Sequence, residues 1–352
     1  MFLKAFEVMP SSERVSQALV GKFGVFWRYM PGTVGIVVAG IVTMILGSAL
    51  RGEWTLLLVF ALKQLGIKVP SSISVQEEPS FLESVGLKDV HWFILINIAS
   101  STVIYFILGG LMQWLYYIRQ RAEPEKWKCQ PNRFLSREDE LHEVILGTSN
   151  MMLGAGIFGI LSCYVSNGGH TTVYYDPAEF GWTYFIMSIP LLFFYQDAAA
   201  YYYHRMLHWP FFYKNFHKWH HRYKAPTAFS ATAMHPVEFL VFQFFIVIPA
   251  FVVPINAGVF VGILLYLYYY GMKDHSGINR PALWPWQPPT LFHDDHHKYF
   301  HVNFGFNSLI FDKFHNTIRK TDRYYSEDVF GGKGRDLSHE EKERLAKEKR
   351  GY

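Results

Sequence analysis

Long stretches without a charged residue dominate the pattern of apolar and polar positions along this chain. Three of them, 29–50, 92–118 and 144–170, contain no Asp, Glu, Lys or Arg over at least 22 residues each. An α-helix needs about 20 apolar residues to cross a hydrocarbon core of about 30 Å. Core helices of a soluble protein rarely reach this length three times in one chain. The pattern therefore predicts three membrane-spanning helices.

Two further apolar stretches are less regular. Residues 181–196 form a fourth span if the helix continues past Asp197 into 198–203. Residues 239–272 also lack charged residues, but they are too long for one span and carry two prolines near their middle. Because proline interrupts helices, this stretch predicts a helical hairpin that dips into the membrane and returns. The expected fold is all-α, an integral membrane protein with about four transmembrane helices and this hairpin.

Basic residues in the connecting segments predict the orientation. Residues 1–28 carry four Lys or Arg and residues 119–143 carry six, whereas 166–180 carry none. Since cytosolic loops are rich in Lys and Arg, the N-terminus and everything after residue 196 are expected on the cytosolic side. The expected regions are a cytosolic N-terminal segment 1–28, a transmembrane region 29–180 with a cytosolic loop 119–143, a histidine-rich domain 181–325 and a charged cytosolic tail 326–352.

Composition excludes several classes of protein. Aromatic residues make up 18% of the chain and charged residues another 18%, which is the reverse of what disorder requires. A formal net charge of +4 without a long basic block argues against a nucleic-acid partner. Two cysteines cannot form a disulfide framework. No secretory signal peptide is visible, so the first span is expected to be an uncleaved anchor.

Gly154, Gly156 and Gly159 spell GxGxxG, the pattern of dinucleotide-binding loops. That function requires a preceding strand and an amphipathic helix. These glycines lie inside a charge-free stretch instead. They predict close packing between helices in a bilayer.

Histidines carry the chemistry. The chain has 16, and 11 lie between His204 and His301. Three clusters stand out, spaced HxxxH at 204–208, HxxHH at 217–221 and HxxHH at 293–297. Residues at i, i+3 and i+4 share a helix face, so each cluster directs its imidazoles to one place. These eight imidazoles exceed the four to six ligands that one metal takes, and they predict two metals. Ligand type alone leaves iron, zinc, copper and nickel open.

The clusters and the residues around them resemble the fatty acid hydroxylase and sterol desaturase superfamily. The resemblance covers about 180–321. His-Arg-Met-Leu-His looks like its HRxLH, and His-Lys-Trp-His-His resembles its HKxHH. Met-His-Pro-Val-Glu, from Met234, is similar to the HPxE of sterol C4-methyl oxidases, and His275-Ser-Gly to their HSG. His-Asp-Asp-His-His with the later Asn-Phe-Gly resembles HDxHH followed by N-aromatic-G.

The resemblance implies that 181–325 is a catalytic domain with a non-haem di-iron centre. It assigns ligand roles to His204, His208, His217, His220, His221, His293, His296 and His297, and to His275 by a further family position. His235 matches a family histidine that is either a ligand or an outer partner. His301 shares the helical spacing of His297 but is not required by the family pattern. Asp197 and Asp294 are the expected outer carboxylates that orient ligating imidazoles, with Asp274 a weaker alternative.

By this resemblance, the enzyme uses O2 to hydroxylate or desaturate a membrane lipid, most simply a sterol in sterol biosynthesis. A fatty acyl or sphingoid lipid is the alternative within the superfamily. The electrons are expected from a separate cytochrome b5 or NAD(P)H reductase, which Lys214, Lys218, Arg222 and Lys224 can attract. The implied location is the endoplasmic reticulum membrane, with several spans and cytosolic histidines. Alternatives of other classes are a bis-histidine haem cytochrome, a metal transporter and an inactive family member.

Overall fold

The computed structural model describes residues 80–343, so the first predicted span 29–50, the segment 1–28 and the end of the tail lie outside the described residues. The described part is mostly helical, as expected. Its α-helices are α1 Phe81–Ser84, α2 Val90–Met112, α3 Arg137–Ser166, α4 Trp182–Leu207, α5 Pro210–Asn215, α6 Pro236–Val247, α7 Pro249–Val252, α8 Ala257–His275, α9 Thr290–Tyr299 and α10 Ile310–His315.

Shorter elements connect these helices. A π-helical segment, Gln113–Ile118, extends α2, and 3₁₀ turns occupy Pro124–Lys126, His217–Arg222 and Ala228–Thr232. The described part also contains two small strand pairs. The parallel pair is β1 Val173–Tyr174 with β2 Ile255–Asn256, and the antiparallel pair is β3 Arg323–Tyr324 with β4 Arg335–Asp336.

Two described helices are long and apolar enough to cross a membrane. They are Val90–Ile118, which joins α2 to its π-helical extension, and α3. Only 28% of the most apolar window of each helix is buried, so most of these side chains face outward, as lipid contacts require. α3 begins ahead of the charge-free stretch because the Ser136 side chain caps it, accepting a hydrogen bond from the Asp139 amide.

The other predicted spans form helices of a different kind. α4 runs through Pro190 and covers the expected fourth span, but it does not belong to the membrane-crossing set. The stretch 239–272 folds as a hairpin, in which α6 and the short α7 lead through β2 into α8. An apolar cluster that includes Leu192, Ile255 and Leu264 packs the hairpin against α4. The described residues therefore support a helical membrane protein without establishing four spans.

Glycines of α3 allow it to pack closely against α2 and α6. A Cβ atom on Gly159 would lie 2.8 Å from the Ile94 Cα, so α2 approaches the bare backbone of α3 at this point. A Cβ on Gly154 would lie 2.8 Å from the Phe239 ring, whereas one on Gly156 would meet only ordinary contacts. Two of the three glycines in the GxGxxG pattern thus serve helix packing, as predicted.

Candidate metal centre

The predicted histidines converge from four elements. His204 lies in the last turn of α4 and His208 is its C-cap. The first HxxHH cluster forms the 3₁₀ turn His217–Arg222 instead of an α-helix, and the second lies on α9. His275 is the last residue of α8. All nine of these side chains are buried, with exposures of 3% or less.

Five of these histidines form one group with ligand atoms within 4.8 Å of one another. Opposite nitrogens on a metal with bonds of about 2.1 Å lie about 4.2 Å apart, so the group has roughly the size of one coordination sphere. The His204 and His217 Nε2 atoms lie 3.2 Å apart inside it. The members of this five-histidine group are His204, His208, His217, His221 and His296.

The remaining four, His220, His275, His293 and His297, form a second group of the same size. The His275 Nε2 lies 3.1 Å from the His220 Nε2 and 2.9 Å from the His293 Nε2. We call this the four-histidine group.

Each HxxHH cluster contributes to both groups. In the first cluster His220 belongs to the four-histidine group, whereas His217 and His221 belong to the five-histidine group. In the second, His296 belongs to the five-histidine group and His293 and His297 to the other. Adjacent residues thus serve different groups, which keeps the two groups side by side. The arrangement has the form of a dinuclear metal centre.

The chemistry of these side chains fits two transition-metal ions. Burial lowers the pKa of His220 to about 4 and holds the pKa of His297 well below its ordinary value, so both imidazoles are neutral at pH 7. The His208 and His296 Nε2 atoms and both nitrogens of His297 are buried without a hydrogen-bond partner. Orphaned buried nitrogens are rare unless an ion satisfies them. An all-imidazole set suits first-row transition metals and not Mg²⁺ or Ca²⁺.

Outer hydrogen bonds fix several rings. The Glu238 carboxylate accepts a hydrogen bond from the His217 Nδ1 at 2.6 Å, and both side chains are fully buried. Backbone carbonyls hold others, with the Gly271 oxygen 2.6 Å from the His275 Nδ1 and the Ala233 oxygen 3.3 Å from the His220 Nδ1. Such partners select the tautomer that leaves Nε2 bare for a metal.

Buried side chains of the candidate spans hold the segments that carry these partners. The Glu143 carboxylate of α3 accepts hydrogen bonds from the Thr227 amide and hydroxyl, both at 2.9 Å, and from the Ser230 hydroxyl. The Tyr117 hydroxyl contacts the carbonyls of Pro226 and Ser276. Glu143 thus positions the 3₁₀ turn Ala228–Thr232, which lies just ahead of the Ala233 carbonyl.

Three sequence expectations need correction. His235 lies in neither group. It caps α6, its Nδ1 accepting a hydrogen bond from the Val237 amide. The Asp197 carboxylate bonds the Ser308 hydroxyl, and no described histidine. Asp294 is fully buried without an imidazole partner, and burial raises its pKa to about 6. A residue adjacent in sequence to a ligand on a helix points to a different face, so neighbourhood alone misassigned Asp294.

Glu238 performs the role that was assigned to those aspartates. Glu238 is the acidic residue of the HPxE motif that begins at His235. The motif indicates that Glu238 matters, but it does not indicate which histidine Glu238 contacts. His301, ranked low, contacts the His208 Nδ1 at 2.9 Å through its own Nδ1.

A cavity of about 210 Å³ opens beside the histidines. His204, His217, His220 and His275 line it, and side chains of α2, α3, α4, α6 and α8 form most of the remaining wall. That wall is mostly apolar, with Met151, Phe239 and Leu264, and carries the polar Ser101 and Gln243. The histidine groups therefore face an apolar space that extends between the candidate membrane helices.

Comparison with known proteins agrees with this geometry. Residues 189–317 match the family model described as fatty acid hydroxylase. The chain is 33% identical over 149 residues to the lathosterol oxidase of Rattus norvegicus, covering 41% of this chain and 50% of that protein. It is 25% identical to the Delta(7)-sterol 5(6)-desaturase ERG3 of Candida albicans, over 69% of this chain and 64% of that protein. It is 27% identical to the C-4 methylsterol oxidase erg25 of Schizosaccharomyces pombe, over 70% of this chain and 85% of that protein.

The matched segment of the lathosterol oxidase is thus about half of that relative's length. No solved structure matches the chain. The family match begins within α4 and ends at Thr317, so it contains all nine histidines of the two groups. Residues 189–317 thus match a fatty acid hydroxylase domain, and the chain is similar to members of the superfamily of fatty acid hydroxylases and sterol desaturases.

Proposed function

We propose that this protein is a membrane-bound oxidoreductase that holds two iron ions and uses O2 to hydroxylate or desaturate a lipid. The observation that carries the proposal is the pair of adjoining histidine groups at the wall of an apolar cavity between candidate membrane helices. The five-histidine group would hold one ion and the four-histidine group the other. This assignment includes all eight histidines of the three sequence clusters and His275.

The bound irons would supply the activation of O2 and the oxidation of a C–H bond. The chain's own residues bind and orient. Neutral buried imidazoles offer lone pairs, and Glu238 strengthens the donor character of His217 through its Nδ1–H. The apolar wall of the cavity excludes water and holds one carbon of the lipid beside the histidines.

A sterol is the favoured substrate class. The three relatives compared above are named for reactions on sterols, including lathosterol and methylsterols. The motif Met234–Glu238 adds a second line of support, since it resembles a pattern of sterol C4-methyl oxidases. A fatty acyl or sphingoid chain remains the alternative, favoured by the description of the matched family.

We also propose the endoplasmic reticulum membrane as the location, with the histidine groups on the cytosolic side and cytochrome b5 or its reductase as the electron donor. The positive charges of segment 119–143 support this orientation. The structure changes the docking argument, because Lys218 pairs with Glu327 at 2.7 Å and Arg222 with Asp139 at 2.6 Å. These two charges are partly neutralised within the chain and steer an acidic donor weakly.

The bis-histidine haem alternative fits the geometry poorly. A haem needs two imidazoles on opposite sides of a flat macrocycle, with open space between them. In both groups the nitrogens lie within 4.8 Å of one another, which suits a single ion. An absorption spectrum of the purified protein distinguishes the two directly.

The test combines metal content with lipid analysis. The full chain, purified in detergent and loaded with Fe(II) under anaerobic conditions, should hold about two irons without a haem band. His297→Ala should hold one or fewer. His235→Asn is the matched control, because it removes an imidazole but keeps a good helix cap, and it should bind iron as the wild type does.

Sterols and acyl lipids of a host that expresses each variant are then profiled by mass spectrometry. A new hydroxyl group or double bond in the sterol fraction, absent with His297→Ala, supports the proposal. A product confined to acyl or sphingoid lipids supports the alternative substrate. A haem band, or full iron content and turnover in His297→Ala, refutes the di-iron assignment.

A further inference from the structure

One loop, residues 300–305, provides the outer partners of three members of the five-histidine group. The Val302 carbonyl lies 2.6 Å from the His296 Nδ1, and the Phe304 carbonyl lies 2.8 Å from the His204 Nδ1. The third partner is the His301 side chain, which contacts His208. Phe300 and Asn303 have positive φ angles of 69° and 53°. Non-glycine residues rarely adopt this conformation, and it concentrates at functional sites.

The hydrogen bonds of His301 define the proton positions. Its Nε2 lies 2.7 Å from the Glu327 carbonyl, which only accepts, so Nε2 carries the hydrogen. In a neutral ring the Nδ1 then holds a lone pair. The His208 Nδ1, 2.9 Å away, must donate to it. His208 is therefore left with a bare Nε2, and this atom is buried without any partner.

We propose that His301 is a positioning residue for the five-histidine group, fixing the ring and tautomer of His208 so that its Nε2 faces the metal. The inference rests on the metal-binding part of the proposed function. It extends that function to a residue outside the ligand groups and ties the metal site to residues 327–330. The four-histidine group receives no partner from His301, so the effect should be confined to one of two metals.

A purely structural role for His301 makes the opposite prediction. The ring is 1% exposed and its centroid lies 4.1 Å from that of Phe330, so it also fills space in an apolar contact. If packing is its only role, an apolar residue of similar size should be tolerated best and a buried charge worst. If hydrogen-bond acceptance is its role, the order reverses. Both Asn and Asp place an oxygen where the His301 Nδ1 lies, whereas Leu offers no acceptor.

The experiment compares His301→Leu, His301→Asn and His301→Asp in the full detergent-purified chain. Anaerobic titration with Fe(II) at graded free concentrations, followed by elemental analysis, gives the two binding steps. Thermal unfolding of the metal-free proteins reports their folding. The expected result is a 10- to 100-fold weaker binding of one iron in His301→Leu, with the other unchanged. His301→Asn should stay within a few-fold of wild type, and His301→Asp should bind at least as tightly as His301→Asn.

Tight binding of both irons by His301→Leu overturns the proposal. If His301→Leu does not fold, the other two variants decide, because weaker binding by His301→Asp than by His301→Asn indicates packing alone and also overturns it. The wild type separates this inference from the proposed function. If the wild-type chain binds no iron, the proposed function is refuted. If every variant binds two irons equally well, only the role of His301 is refuted.

Discussion

Replacing Glu238 by Gln should weaken one metal site and spare the other. The Glu238 carboxylate is 1% exposed and accepts the His217 Nδ1–H at 2.6 Å, while its second oxygen has no partner. His217 belongs to the five-histidine group alone. Burial raises the pKa of the Glu238 carboxyl, but a metal bound to His217 would favour its ionised form, so Glu238→Gln keeps the shape and one acceptor oxygen but removes the charge.

The size of the effect follows from this single hydrogen bond. A charge-assisted hydrogen bond is roughly twice as strong as a neutral one, and loss of an outer partner typically costs about 10- to 100-fold in metal affinity. Glu238→Gln should therefore weaken the five-histidine site about 10-fold, or about 1.4 kcal/mol. Glu238→Ala also leaves the His217 donor buried without an acceptor, which costs about 1–3 kcal/mol and predicts a loss near 100-fold.

The assay is the two-step anaerobic Fe(II) titration, with thermal unfolding measured on the same samples. Glu143→Gln is the matched control, since it changes another fully buried carboxylate to its amide but contacts no histidine of the five-histidine group. The tighter and weaker steps are assigned by comparison with His296→Ala and His293→Ala. Unchanged binding in Glu238→Gln, or an equal loss at both sites, would refute the reasoning.

Two further predictions concern stability. Glu143→Leu removes the acceptor of three buried donors on Thr227 and Ser230, so it should destabilise the chain by about 3 kcal/mol or more; a melt as high as that of wild type would contradict this. Gly159→Ala should lower the melting temperature because its new methyl group meets the α2 backbone, at a cost of about 1–3 kcal/mol. Gly156→Ala, which meets only ordinary contacts, is its control and should be neutral or stabilising, and equal melts for the two would refute the packing role.

Sequence patterns predicted the helices best where the apolar stretches were long. The stretches 92–118 and 144–170 became α2 with its extension and α3, with α3 starting earlier than expected. The length of a charge-free stretch does not reveal such a start. Acidic residues are favourable in the first turn of a helix, as in α3, but they lie outside the charge-free stretch. Helical spacing was less reliable at 217–221, where tertiary contacts favour a 3₁₀ turn over an α-helix.

The histidine motifs predicted a two-metal site, and nine of the ten histidines they nominated, all but His235, come together in the two groups. The same motifs carried no information on how a cluster divides. His220 and His221 are adjacent in sequence but belong to different groups, because the division depends on which side of the turn each ring leaves. The weaker expectations for His235, Asp197 and Asp294 were wrong for a related reason, since sequence proximity does not define direction.

By itself, then, the sequence determined the class of this protein. Its apolar stretches have the length that a membrane requires, and its histidines have the spacing that metal binding requires. Both follow from local geometry, the rise of a helix and its period. The tertiary structure alone decided the outer partners. Phe304 reaches His204 across 100 residues and His301 reaches His208 across 93. Such contacts depend on how the 300–305 loop packs against α4, which no local pattern encodes.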